Sequence, residues 1–67
     1  MKDFAERLKD LRTDRGMTMK QLAAAVDVSE MAISRWESRS RIPNIILAMD
    51  IAKYFGVTLD YLVGMQD

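Results

Sequence analysis

The side chains in this chain that can do chemistry are few and mostly of one kind. Histidine and cysteine are both absent, which removes the usual proton shuttle, the thiolate nucleophile and most transition-metal ligands. No glycine-rich phosphate loop occurs. The carboxylates are scattered along helical positions and read as surface partners of nearby charges, such as Glu6 and Asp10 near Arg7, Lys9 and Asp14. Catalysis is therefore not expected, nor is a metal, a cofactor or a small-molecule ligand. What remains is a hydrogen-bonding group, Glu30, Met31, Ser34 and Arg35, with Ser29 just before it and Ser38 just after. Arginine can donate to both acceptors of guanine, a carboxylate can accept from the cytosine amino group, and a thioether can touch a thymine methyl. Lys20, Arg39, Ser40 and Arg41 form a second group, cationic and hydroxylic, of the kind that grips phosphate oxygens. A merely solvated helix face would hold the same residue types.

For these residues to act together, regular elements must hold them, and the chain specifies those elements at their ends. Phe4, Leu8 and Leu11 repeat at one-face helical spacing, and Gly16 closes that segment. Thr18 followed by Gln21 makes a capping box, bracketed by Met17 and Leu22 as a hydrophobic staple. The staple spacing returns at Val28-Ser29-Ile33 and at Val57-Thr58-Leu62. Asn44 after Pro43 supplies another cap, and Gly56 ends the helix it starts. No segment alternates as a strand would. The pattern predicts helices near 2–15, 19–26, 30–38, 45–55 and 59–63 and an all-α fold.

Size limits the organisation to one domain over 1–67. The chain has 67 residues, 49% of them hydrophobic, enough for a single modest core with no disulfide to support it. No apolar run is long enough to span a bilayer, and the charged start is not a signal peptide. A cytoplasmic, nucleoid-associated protein is the expectation. The formal net charge is zero, yet it is unevenly spread. Residues 1–41 hold nine basic and seven acidic side chains, whereas residues 42–67 hold one and three.

The segments 19–26 and 30–38 are joined only by Asp27-Val28-Ser29. Two short helices at such a turn form a helix-turn-helix, whose second helix can enter a DNA major groove; similar corners occur in proteins that never meet DNA. Around 30–38, Ile33, Trp36 and Glu37 fall on one side and the staple turns Ile33 inward. Met31, Ser34, Arg35 and Ser38 then face out. Trp36 reads as core. The start of 19–26, with Lys20 beside it, suits a phosphate.

At this point the residues resemble a known family. The strings Leu11-Arg12, Gly16-Met17-Thr18, Gln21-Leu22-Ala23, Val28-Ser29 and Ile33-Ser34-Arg35-Trp36-Glu37 are similar to the phage-repressor and Cro-like (XRE) helix-turn-helix family. Arg41-Ile42-Pro43-Asn44, Ile51-Ala52-Lys53 and Phe55-Gly56-Val57-Thr58-Leu59-Asp60-Tyr61-Leu62 continue the likeness. The resemblance implies a compact five-helix, lambda-repressor-like domain that binds double-stranded operator DNA as a homodimer, its half-sites about one DNA turn apart. It implies base reading by Ser29, Glu30, Met31, Ser34 and Arg35. Phosphate contacts would come from Thr18, Met19, Lys20, Ser38, Ser40 and Arg41, with Arg39 adding one or bending its loop. It also implies a largely buried structural ion pair between Arg12 and Glu37. Three positions depart from the family pattern: Met19 replaces a glutamine, and Asp27 and Arg39 replace glycines.

The C-terminal half holds more apolar side chains than a small core needs, among them Ile46, Leu47, Tyr54, Tyr61, Val63 and Met65. An apolar surplus needs covering, which suggests a subunit interface there. The alternative reading is a protein-interaction module on the same fold, such as an antitoxin or anti-repressor. Zero net charge, Met19, Glu30 and the apolar surplus favour it.

Overall fold

The architecture follows from how each helix begins and ends. The computed structural model describes residues 2–65, which form α1 (Phe4–Asp14), α2 (Met19–Ala25), α3 (Glu30–Glu37), α4 (Ile45–Phe55) and α5 (Leu59–Leu62). Among the described residues there is no strand. Every helix starts on a side-chain oxygen that accepts an otherwise unpaired amide: Asp3 from Glu6, Thr18 from Gln21, Ser29 from Ala32, Asn44 from Leu47 and Thr58 from Tyr61. The Thr18 box is reciprocal, since the Gln21 side chain accepts from the Thr18 amide at 2.8 Å. The cap at Asp3 is not marked by periodicity; it is why α1 begins at Phe4 and not at residue 2.

The helix ends are equally uniform. A residue in the left-handed region follows or closes each one: Gly16, Asp27, Arg39, Gly56 and Gly64. In each case the next amide reaches back to a carbonyl five residues earlier, as from Met17 to Arg12, Val28 to Ala23 and Ser40 to Arg35. At Asp27 and Arg39 side chains occupy a conformation that costs glycine nothing. Aspartate tolerates it comparatively well.

The staples set the core. Leu22, Ile33 and Leu62, the inner member of each, are fully buried alongside Leu8 and Ile51. Their outer partners Met17, Val28 and Val57 pack against the same cluster. Trp36 and Phe55 complete it. Each large apolar side chain so buried contributes about 1.5–3 kcal/mol relative to exposure.

The inner face of α1 differs from the expected Phe4-Leu8-Leu11 stripe. Leu8 is fully buried, but Phe4 and Leu11 are only partly so, and Ala5, Arg7 and Arg12 complete the buried set. The Arg7 guanidinium lies 4.0 Å from the centre of the Tyr61 ring, so a cation read from sequence as superficial is covered by α5. Its long stem and flat head fit against an aromatic face. Two of the α1 carboxylates take partners from farther along the chain. Asp10 pairs with Lys2, and Glu6 receives Arg39 at 3.1 Å. Arg15 donates to the Phe55 carbonyl at 3.1 Å, satisfying an open end of α4.

Arg12 makes the strongest tertiary tie. Its Nε donates to Glu37 Oε2 at 2.7 Å, its Nη2 to Oε1 at 2.9 Å and its Nη1 to the Met17 carbonyl at 2.8 Å. Only 11% of the Arg12 side chain and 4% of the Glu37 side chain are exposed. The Arg12 pKa is raised, first by its hydrogen bond to Glu37. Removing one partner strands the other charge in the interior, a loss of about 3–5 kcal/mol. Against a total stability on the order of 5–15 kcal/mol, Glu37→Leu or Arg12→Met should shift the urea midpoint sharply downward. The double variant Arg12→Met/Glu37→Leu should lose less than either single change. Additive losses would show that the two side chains act independently.

Candidate nucleic-acid interface

The candidate face is built on α3, which its inner side holds in place. Ile33 and Trp36 are buried in the core and Glu37 is held by Arg12. With those three positions turned inward, helical geometry sends Met31, Ser34 and Arg35 outward, and all three are exposed. Glu30 shares the side of Ile33 and Glu37 but is exposed because it is the first residue of the helix. Met31 is 59% exposed. Ser29 accepts from the Ala32 amide at 3.1 Å, which leaves its hydroxyl proton available to an outside acceptor. All five residues singled out for base reading are exposed, Met31, Ser34 and Arg35 on the outer side of α3 and Ser29 and Glu30 at its start.

The flanking groups are arranged differently from one another. Thr18 and Lys20 are exposed at the start of α2, whereas the Met19 side chain is half-buried against the core. Met19 can thus offer an outside anion only its backbone amide, one of the unpaired amides of a first helical turn. Past α3 the chain folds back over the helix end. The Arg35 carbonyl accepts from the Ser40 amide at 3.0 Å and the Arg41 amide at 3.3 Å. It also accepts from the Ser38 hydroxyl at 3.1 Å. Ser38, Ser40 and Arg41 are exposed, so their positions are tied to that of Arg35 itself.

Arg39, one of the expected phosphate ligands, is paired within the chain. Its Nε donates to Asp3 Oδ2 at 2.7 Å, and its Nη2 donates to Asp3 Oδ1 and Glu6 Oε1, each at 3.1 Å. The guanidinium fork is occupied by two carboxylates of α1 and its cap. Both are 33 or more positions away in the chain, so no local signal could have indicated the contact. Among the described residues, no group of three or more His, Cys, Asp or Glu is placed to hold a metal ion. Nor, among them, is any helix long and apolar enough to cross a membrane.

A second, apolar surface lies on the C-terminal half. Ile42 is 81% and Ile46 65% exposed, and Ile45, Met49, Val63 and Met65 are also uncovered. Two residues expected to contribute do not belong to it in full: Leu47 packs on the core, and Tyr61 sits over Arg7. Ile42, Ile45 and Met49 join it without a signal in the sequence, because helix 45–55 is apolar on several sides and periodicity alone does not choose among them.

The fold agrees with that of known proteins. The family model for the helix-turn-helix (HTH_3) matches residues 8–62, and the chain belongs to that family. It is 42% identical over 65 residues to the HTH-type transcriptional activator BcrR of Enterococcus faecalis, covering 97% of this chain and 32% of that protein. The fold superposes on the P22 c2 repressor protein in complex with synthetic operator 9T with a TM-score of 0.87. That match has 28% identity and covers 94% of this chain and 96% of the other. A transcriptional regulator from Listeria innocua gives a TM-score of 0.85 at 31% identity over 91% of this chain and 57% of its own. The chain spans 32% to 57% of the length of the curated relatives it matches. Those curated relatives are named as HTH-type transcriptional regulators, one of them an activator.

The Asp3–Arg39 contact has a measurable signature. Hydrogen bonding to Arg39, and then to the Glu6 amide, lowers the Asp3 pKa below the ordinary aspartate value. Because the folded value lies below the unfolded one, the contribution of this pair is complete above about pH 4 and fades as pH falls through the folded value. Lys2, Glu6 and Asp10 are the other charges nearby. Carboxyl-carbon NMR titration should place the Asp3 midpoint below that of an unpaired aspartate. In Arg39→Ala the midpoint should move back up. An unchanged midpoint would mean that the fork does not form in solution.

Proposed function

We propose that this chain is a sequence-specific DNA-binding regulator of transcription, a repressor that binds a two-fold operator as a homodimer in the cytoplasm, at the nucleoid. In this reading α3 lies in the major groove. Arg35 is bidentate to a guanine, Ser29, Glu30 and Ser34 exchange hydrogen bonds with neighbouring bases, and Met31 contacts a thymine methyl. Thr18, the Met19 amide, Lys20, Ser38, Ser40 and Arg41 bracket the groove by holding phosphates on either side. The supporting observation is the outer side of α3: Met31, Ser34 and Arg35 stay uncovered there, with Glu30 exposed at the helix start, while the opposite side is locked into the core. The likeness to the P22 c2 repressor, a protein solved in complex with operator DNA, supports it independently.

The homodimer would form through the C-terminal half, burying Ile42, Ile45, Ile46 and Met49 against their copies. One such module reads only a few base pairs, and a two-fold pair doubles the contacts on a palindromic site. A protein-interaction module on the same fold uses the same apolar surface and would leave α3 without DNA preference.

Binding and assembly measurements test this reading. Duplexes selected by the chain from a randomised pool should bind with an affinity that falls steeply with salt. Arg35→Ala should weaken the selected site by about 1–3 kcal/mol per bidentate pair and relax the preference at one base pair. Arg41→Ala should weaken all sequences alike and flatten the salt slope by about one for each phosphate it no longer holds. Selection that yields no sequence, with one protein partner recovered in stoichiometric amount, would replace DNA reading by the interaction module. Sedimentation should also show a dimer that Ile46→Asp dissociates. A monomer at operator-binding concentrations would remove the dimer from the account.

A further inference from the structure

Arg39 stands where the chain must turn left-handed after α3, with φ of 67°. A side chain in that conformation is disfavoured relative to glycine, so something must hold the turn. The turn matters because residues 38–41 carry Ser38, Ser40 and Arg41. These residues are wrapped on the Arg35 carbonyl, so any shift of the loop also moves the end of α3. From the strained position the Arg39 side chain reaches to the beginning of the molecule. It forms a fork on both oxygens of Asp3 and adds Glu6. Asp3 is itself fixed, because its Oδ1 accepts from the Glu6 amide at 3.0 Å as the cap of α1. The backbone beside it is closely covered: a Cβ on Gly64 would lie only 2.6 Å from the Lys2 carbonyl oxygen, so the turn after α5 packs tightly on this same corner. A capped helix start that cannot easily move is thus joined to the one strained residue of the loop.

We infer that Asp3 and Glu6 are positioning residues for the DNA interface: acting through Arg39, they hold the loop that presents Ser40 and Arg41, without touching nucleic acid themselves. Two negative carboxylates around the guanidinium also make it a poor phosphate ligand, since an approaching phosphate would meet both. The lowered pKa of Asp3 agrees with a standing contact. The effect on the loop is independent of the DNA-reading proposal; the effect on affinity rests on it.

The test uses Asp3→Asn/Glu6→Gln. Asparagine caps a helix about as well as aspartate, so α1 should remain intact while the fork loses its charge. Amide hydrogen exchange is the first readout. The Ser40 and Arg41 amides should exchange roughly two- to fivefold faster, in the range expected for exposed ion pairs, while the Leu8 and Ile33 amides keep their protection. Affinity for the duplex that the wild-type chain selects from a randomised pool is the second readout. It should fall roughly two- to fivefold with an unchanged salt slope, because no phosphate ligand is removed. In an Arg39→Gly background, where the turn needs no support, the same pair of substitutions should change neither readout. Unaltered Ser40 and Arg41 exchange in the charge-neutralised variant overturns the inference. So does tighter DNA binding with a steeper salt slope, which would mean that the carboxylates had been withholding Arg39 from phosphate. A wild-type chain that selects no duplex would defeat the DNA-reading proposal and the affinity claim, while the exchange result would still decide the tether.

Discussion

The orientation of α3 depends on a charge pair that the interior tolerates only because it is fully bonded. Removing the Arg12 and Glu37 head groups from water is costly, and a single contact between them would not repay that cost. The observed arrangement satisfies two parallel N–H···O bonds at once, and a third N–H goes to the Met17 carbonyl. Arginine is suited to this role because its donors lie in one plane and match the two carboxylate oxygens, which a lysine ammonium cannot do. One side chain thereby fixes α1, the turn leading to α2 and the last residue of α3 relative to one another. The outward flank of α3 inherits its direction from this joint.

A core this small leaves little stability in reserve, and the helix ends supply part of it. Five side-chain caps and five left-handed terminations satisfy backbone groups that short helices would otherwise leave to solvent. The three staples link those local features to the tertiary fold. In each, the residue that fixes the helix start also reaches the centre of the core, so local and long-range preferences agree.

The loop after α3 shows how a departure from the usual residue can be accommodated. An arginine at this left-handed position introduces backbone strain, but it also provides a long cationic side chain that reaches the cap of α1, where the segment after α5 also packs close. The Arg35 carbonyl gathers the amides and hydroxyls of that loop, so the proposed base-reading and phosphate-holding groups form one mechanical unit.

From the chain alone, the helix count, the two middle helices and their short turn, the inward placement of Ile33 and Trp36 and the outward placement of Arg35 were legible. They follow from caps, staples and a 3.6-residue period, all of which act within a few positions. Asp3, Arg7, Arg15 and Arg39 were not legible in that way. Each takes its role from a partner that only folding brings near: Arg39 meets Asp3 from 36 positions away, Arg15 meets Phe55 from 40, and Arg7 lies beneath Tyr61. The apolar faces of α4 were undecided for a related reason, since its composition permits more than one inward side and the packing of Ala48, Ile51, Ala52 and Phe55 makes the choice. Short-range hydrogen bonding and periodicity are written in neighbouring residues. The partner of a long charged side chain is settled only when distant segments have packed together.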